Sequence, residues 1–182
     1  SKKKYIKVLH ADIVELSEKA DLLVCSAYKN KYAAYEGTLI GNLYAKKGIS
    51  VEKEADNPEL DCRKECNYWV SGVLEGDISR IGCIELLDIS ERDNTDISRL
   101  KVICESFSSV YNMLVHMDKV GLSIKRVCLP VLGSGNQGIE LWYIIPPLLK
   151  QCISALQDIE QIEEIVFCEN NCEKATQLIE GL

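Results

Sequence analysis

At 182 residues the chain is long enough to bury a core without disulfide or metal staples, and 47% apolar with 27% charged residues is an ordinary globular composition. A net charge of −7 argues against general nucleic-acid binding and against a membrane-surface role, both of which need a basic face. No apolar run approaches the ~20 residues of a membrane span and no signal peptide precedes the nine cysteines, so a reducing cytoplasm is the expected compartment.

Ser1-Lys2-Lys3-Lys4 reads as a solvated end, and the missing initiator Met suggests a piece trimmed or excised from a longer protein; one domain is expected over 1–182. Tyr5 to His10 alternates and reads as a first strand, with His10 structural. Asp21 to Ala27 is apolar on both faces, as in a buried parallel strand. Its end, Ser26-Ala27-Tyr28, is a candidate site edge, because ligands of open α/β sheets sit outside the carboxyl ends of strands. After a polar loop, Glu36 to Lys46 reads as a helix closed by Gly48, with Gly37 and Gly41 permitting close approach. Ser50 to Lys64 is charged and reads as irregular at its start. Asn67 to Ser71 and Ile81 to Leu87 read as strands of an antiparallel hairpin, and Ser90 to Thr95 as a linker.

Leu100, Ile103, Phe107, Val110, Leu114 and Met117 fall at helical spacing, which predicts one long helix over about Asp96 to Lys119, closed by Gly121, with Met113 and Met117 as core filler. Val127 to Leu132 reads as the next strand. Pro146-Pro147 predicts a break, with a helix from about Pro147 to Leu156 and with Trp142 and Tyr143 packed on the sheet. Ile165 to Glu169 is the last strand, and Asn170 or Asn171 caps a last helix. The order predicts an α/β sandwich, α/β/α, with a mixed sheet.

The stretch with most chemical content is Gly133-Ser134-Gly135-Asn136-Gln137-Gly138, three glycines between a strand and a helical pattern. Free N–H groups at such a turn suit a phosphate; the alternative is a plain βα turn. The literal GxGxxG is late in the chain, so the Rossmann fingerprint, which belongs after a first strand, does not fit. No Lys-Ser/Thr ending supports a Walker loop, and Ser134 lacks the G-x-S-x-G order of a nucleophile elbow. Neither His10 nor His116 lies in a site-like loop to activate a cysteine. Cys62/Cys66 and Cys168/Cys172 are C-x3-C pairs, whereas zinc is usually signalled by CxxC, so no metal is expected. Cys25, Cys83, Cys104, Cys128, Cys152 and Cys168 read as small buried hydrophobes.

In this order the segments resemble the macro domains, which bind ADP-ribose and related nucleotides. Ala11-Asp12-Ile13 is similar to the family's Gly-Asp-Ile, Asp21 to Tyr28 to its Asp-Ala-Ile-Val-Asn-Ala-Ala-Asn, and Tyr35 to Leu39 to its Val-Asp-Gly-Ala-Ile. Leu129 to Gly138 resembles its Phe-Pro-Ala-Ile-Ser-Thr-Gly-x-x-Gly diphosphate loop. The resemblance implies that Asp12 and Ile13 hold the adenine, with Phe167 and Asn170 near its edge. It implies Ser26, Ala27 and Tyr28 at the ribose end, and Leu132, Gly133, Ser134, Gly135, Asn136, Gln137 and Gly138 on the diphosphate. Two departures stand out. Tyr28 replaces the asparagine that orients the distal ribose in active hydrolases, and Lys29 to Ala34 replaces the glycine run. Lys29 and Lys31 offer charge there, and Tyr28 and Tyr32 offer stacking surface, for a modified or larger ligand.

The expectation is therefore a sensor or reader of an ADP-ribose-type nucleotide or NAD-derived signal, with no cofactor and with a fused or partner effector domain if the chain is a fragment. The alternatives are an ADP-ribosyl hydrolase, compensating with Asn30 or Glu36, and a degenerate macro fold used for protein contacts.

Overall fold

The computed structural model describes residues 2–86, 95–132 and 139–182. The apolar runs become a seven-stranded sheet: β1 (Tyr5–His10), β2 (Leu22–Tyr28), β3 (Leu60–Asp61), β4 (Tyr68–Val70), β5 (Ile81–Leu86), β6 (Arg126–Leu129) and β7 (Glu164–Glu169), in the order β1-β7-β6-β2-β5-β4-β3. The first five in that order are parallel, with Ile6 opposite Ile165 and Cys25 opposite Cys83. The last two are antiparallel, and Trp69 opposite Cys83 forms the expected hairpin.

Helices α1 (Leu39–Lys47) and α2 (Val51–Asp56) cover one face; α3 (Asp96–Lys119), α4 (Leu141–Asp158) and α5 (Cys172–Gly181) cover the other. The alternation within β2 decides which side chain goes where. Leu22 and Val24 join Phe107, Met113, Leu114 and Met117 of α3 and Ile144 and Leu148 of α4. Leu23 and Cys25 join Ile40 and Leu43 of α1 with Val51 and Ala55 of α2. The result is the three-layer α/β/α sandwich with a mixed sheet that the sequence implies.

The long helix runs over the residues expected of it; Thr95 caps it through the Ser98 N–H at 3.2 Å, and Gly121 follows at φ +78°. Several boundaries differ. α1 begins at Leu39 because Gly37 sits at φ +79° and Thr38 is the cap, so Gly37 is a turn residue rather than a helical one. Ser50 caps α2 through the Lys53 N–H at 3.2 Å, and Val51 and Ala55, one turn apart, are buried beneath a charged surface that hid the helix in the sequence. β6 stops at Leu129, before Pro130, which has no N–H for a sheet ladder.

The largest correction is α4, which is continuous through Pro146 and Pro147. Proline here frees the carbonyls of Trp142 and Tyr143, in the helix's first turn. Both residues are exposed, at 56% and 61%, and in the first turn a lost hydrogen bond interrupts the ladder least. Trp142 and Tyr143 therefore do not pack on the sheet; Leu141, Ile144 and Ile145 do. Of the cysteines expected inside, Cys25, Cys83, Cys128, Cys152 and Cys168 are buried and Cys104 is half-buried. Asn171, not Asn170, caps α5, through the Lys174 N–H at 3.0 Å. Among the described residues no helix is long and apolar enough to cross a membrane. Leu87 and the linker 90–94 lie outside the described residues.

Candidate functional site

A cleft of about 450 Å³ opens at the carboxyl ends of β2, β5 and β6. Ser26, Ala27 and Tyr28 end β2 beneath it, Leu86 ends β5, and Pro130 to Leu132 follow β6. Its outer wall is the loop bearing Lys31, Ala33 and Tyr35, and its far end is the start of α1, where Thr38, Leu39 and Ile40 face it. The Thr38 hydroxyl donates to the Tyr35 carbonyl at 2.6 Å and accepts from the Gly41 N–H at 3.0 Å. A Cβ on Gly41 would stand 2.0 Å from the Tyr35 carbonyl oxygen, so glycine there lets the wall close onto the helix. The first N–H groups of α1, and the positive end of its dipole, lie beside the cleft.

The outer wall turns tightly after β2. The Lys31 N–H donates to the Tyr28 carbonyl at 2.9 Å across a turn with Asn30 at φ +59°, a value asparagine tolerates better than most residues. Lys31 Nζ stands 5.9 Å from the centre of the Tyr28 ring, at cation–π range. The turn is held from below by Glu85, which is 5% exposed. Its Oε1 accepts the Asn30 N–H at 3.2 Å and a short hydrogen bond from the Tyr32 hydroxyl. Glu85 Oε2 is buried without a hydrogen-bond partner among the described residues. Tyr32 packs edge-on against Trp69, with ring centroids 5.8 Å apart. Burial pushes the Tyr32 hydroxyl up to about 12, the bond to Glu85 adds to the rise, and the Arg63 guanidinium pulls against both. Tyr32 is thus a buried strut and not the stacking surface its sequence position suggests.

The candidate residues divide into three groups. Ser26, Ala27, Tyr28 and Leu132 line the cleft. Gly133, Ser134, Gly135, Asn136, Gln137 and Gly138 lie outside the described residues. Asp12, Ile13, Phe167 and Asn170 are not among the described residues that line it. Asp12 and Asn170 nonetheless follow β1 and β7, with β7 beside β6 and β1 beside β7, so both stand at the carboxyl ends of parallel strands, as Ser26 to Tyr28 do. Asp12 accepts the Val14 N–H at 2.9 Å and meets Lys46 Nζ at 2.7 Å. Burial works to raise its carboxyl, but Lys46 and the Val14 N–H outweigh burial and hold it below its ordinary value. Ile13 is buried in the core beside α1. The ring of Phe167 cannot edge a ligand: at 1% exposure it points into the core under α3 and α4. Asn170 is exposed, and its carbonyl oxygen is 3.1 Å from His10 Nε2.

Sequence reasoning missed Glu85, Arg63 and the strut role of Tyr32. A lone acid inside the apolar Ile81 to Leu86 strand was the available signal for Glu85. It also missed that Cys62 Sγ stands 3.3 Å from His116 Nδ1. The two C-x3-C pairs do not meet, because β7 and β3 are separated across the sheet; no group of three or more metal-type ligands is found among the described residues.

No protein-family model and no curated protein matches the sequence. Solved structures do match the fold. The macrodomain of Mycobacterium tuberculosis DarG is 15% identical, with a TM-score of 0.56 over 90% of this chain and 97% of that one. A mutant Oceanobacillus iheyensis macrodomain with ADP-ribose is 12% identical, with a TM-score of 0.70 over 97% of this chain and 89% of that one. The Trypanosoma brucei macrodomain in complex with ADP-ribose is 11% identical, with a TM-score of 0.68 over 96% of this chain and 67% of that one. At such identities what is shared is the path of the backbone, from the mixed sheet to the helices on both faces: this chain has the macrodomain fold.

Proposed function

We propose that the cleft binds an ADP-ribose-type nucleotide and that the chain reads or senses that ligand rather than turning it over. The volume is in the range of small-molecule sites, about 300–1,000 Å³. The position, outside the carboxyl ends of parallel strands and beside a helix N-terminus, suits a phosphate-bearing ligand. In this reading Gly133 to Gly138 receives the diphosphate, Asp12 accepts a hydrogen bond from the adenine amino group, and Ser26 to Tyr28 bound the distal ribose. Two of the solved macrodomains above carry ADP-ribose, which supports the ligand class.

The observation that carries the reader over the hydrolase is the chemistry of the wall. Among the described residues lining the cleft there is no carboxylate, imidazole or thiol. Hydrolysis at the anomeric carbon needs a group that positions or deprotonates a water. Asn30 and Glu36, the residues considered for that task, are exposed and do not line it. Tyr28 and Lys31 instead close the ribose end with a ring and a cation.

The test is calorimetric titration and thermal unfolding with ADP-ribose, ADP and NAD, together with a turnover assay on ADP-ribosylated protein. ADP-ribose is expected to bind saturably and, at 100 times its dissociation constant, to stabilise the fold by about 2.7 kcal/mol. Tyr28→Ala is expected to weaken it about tenfold or more, the loss of one ring contact of about 1.4 kcal/mol. Release of ADP-ribose from modified protein would overturn the reader. Absence of binding by any of the three nucleotides would favour protein contacts instead.

A further inference from the structure

Cys62, Cys66, Tyr68 and His116 form a cluster that the cleft does not use. Cys62 follows β3, Tyr68 opens β4 and His116 comes from the last turn of α3, so three elements bring these groups together. His116 Nδ1 lies 3.3 Å from Cys62 Sγ and 3.0 Å from the Tyr68 hydroxyl. The Tyr68 and His116 rings meet edge-on at 6.3 Å, which fixes the imidazole's plane. The Cys66 N–H donates to the Cys62 carbonyl at 2.8 Å, so the two cysteines sit one helix-like turn apart. Four residues of such a turn separate Cα atoms by about 6 Å, inside the span of about 4.4–6.8 Å that a disulfide bridges. Cys62 and Cys66 are half-buried at the margin of the core, unlike the buried Cys25, Cys83, Cys128, Cys152 and Cys168. The other pair at this spacing is built differently: Cys168 is inside β7 and Cys172 opens α5.

We propose that Cys62 and Cys66 are a dithiol modification site, converted to an intramolecular disulfide by a low-molecular-weight disulfide, with His116 accepting the first proton. Burial lifts the Cys62 thiol above its ordinary value, the Tyr68 hydroxyl pulls against that, and Cys66, Glu65 and Asp61 add to the rise. The thiol therefore needs a base at hand, and His116 Nδ1 is the base in contact. In the first step the Cys62 sulfur, giving its proton to Nδ1, attacks one sulfur of the external disulfide. One thiolate leaves, and Cys62 is left in a mixed disulfide. His116 passes its proton to the departed thiolate; in the second step Cys66, giving its proton to water, attacks the Cys62 sulfur and expels the second thiolate, which takes up a proton from water. The protein loses two protons and two electrons, and the external disulfide gains them as two thiols.

The experiment incubates the whole protein with oxidised glutathione, blocks remaining thiols by alkylation, and maps the digest by mass spectrometry. A Cys62–Cys66 bond, removed by dithiothreitol, is expected ahead of modification at the exposed Cys172. Cys66→Ser is expected to trap a glutathionyl group on Cys62. His116→Gln keeps a polar partner for Tyr68 but accepts no proton; it is expected to slow the bond about tenfold or more while the melting temperature stays in place. Tyr68→Phe, which leaves the imidazole, is expected to react within about threefold of the parent rate. Cys62 and Cys66 remaining separately alkylated while Cys172 takes glutathione would overturn the proposal, as would an unchanged rate in His116→Gln. None of these readouts depends on a nucleotide in the cleft.

Discussion

On one face of the sheet, α3, α4 and α5 bury Phe107, Phe167, Met113, Met117 and a continuous set of leucines and isoleucines. On the other, α1 and α2 bring Ile40, Leu43, Val51 and Ala55 onto Leu23, Cys25, Ala27, Cys83 and Cys128, with Trp69 and Tyr32 as the aromatic members. The first face is thick and apolar, and it reaches the cleft through Leu86, Val131 and Leu132. The second, thinner face mixes aliphatic side chains such as Leu23, Ile40 and Leu43 with the small Cys25, Ala27, Cys83 and Cys128, and near the cleft it admits a buried carboxylate, Glu85. Small residues let α1 approach the sheet, and the approach is what brings its N-terminus beside the ends of β2 and β5. The larger set of buried apolar side chains is thus on one side of the sheet, and the outer wall of the cleft is held from the other.

The largest effect expected of that division is on the thick face. Phe107, 1% exposed, packs in the middle of α3. Phe107→Ala should lose about 3–5 kcal/mol, the transfer free energy of the ring plus the cavity left behind. Cys25→Ala on the thin face removes one sulfur atom and should lose about 1 kcal/mol. Urea unfolding of both variants, read at constant slope, checks the ratio. Equal losses would mean that the two faces share the load and that the division is false.

A smaller effect separates holding the fold from holding the cleft wall. Glu85→Ala leaves the Asn30 N–H without its acceptor and the Tyr32 hydroxyl with only the Arg63 guanidinium, at a cost of about 1–3 kcal/mol. Tyr32→Phe removes the hydroxyl that meets Glu85 and Arg63 and should cost about 1 kcal/mol. In both variants hydrogen exchange at the Asn30 amide should quicken by more than exchange at β2 amides such as Val24. An Asn30 amide that exchanges as in the parent would show that Glu85 does not fix the turn.

How much was legible follows the same line. The thick face obeys periodicity: Leu100 to Met117 at helical spacing announced α3, and the apolar runs announced β2, β6 and β7. The order of segments announced the sandwich, and the ends of β2 announced the cleft. What periodicity could not reach were contacts between residues far apart in the chain. Glu85 meets Tyr32 across 53 positions, and Cys62 meets His116 across 54. Phe167 looked like a site edge because it stands near the end of a strand, but strand parity turned it inward. Pro146 and Pro147 looked like a break because proline lacks an N–H and crowds the preceding turn, but they fall so near the start of α4 that only its first turn is affected.

The smallest effect concerns the rim of the thin face, where Lys46 of α1 ties Asp12 and Glu15 to the helix. The Asp12 carboxyl lies below its ordinary value of 3.8 in the fold. A lowered acid stabilises the folded state above the unfolded value, and that contribution is lost as pH falls through the folded value. Asp12→Asn keeps an oxygen for the Val14 N–H and deletes only the charge, and Glu15 remains to pair with Lys46. Thermal unfolding from pH 7 to pH 2.5 should therefore show the parent slightly more stable at neutral pH, with the difference closing below about pH 3.8. A difference that stays constant with pH would assign Asp12 to turn capping alone. The same variant retains the oxygen but not the charge facing the ends of β1 and β7, so measuring its ADP-ribose affinity beside its pH curve separates a carboxylate that holds α1 from one that also holds the ligand.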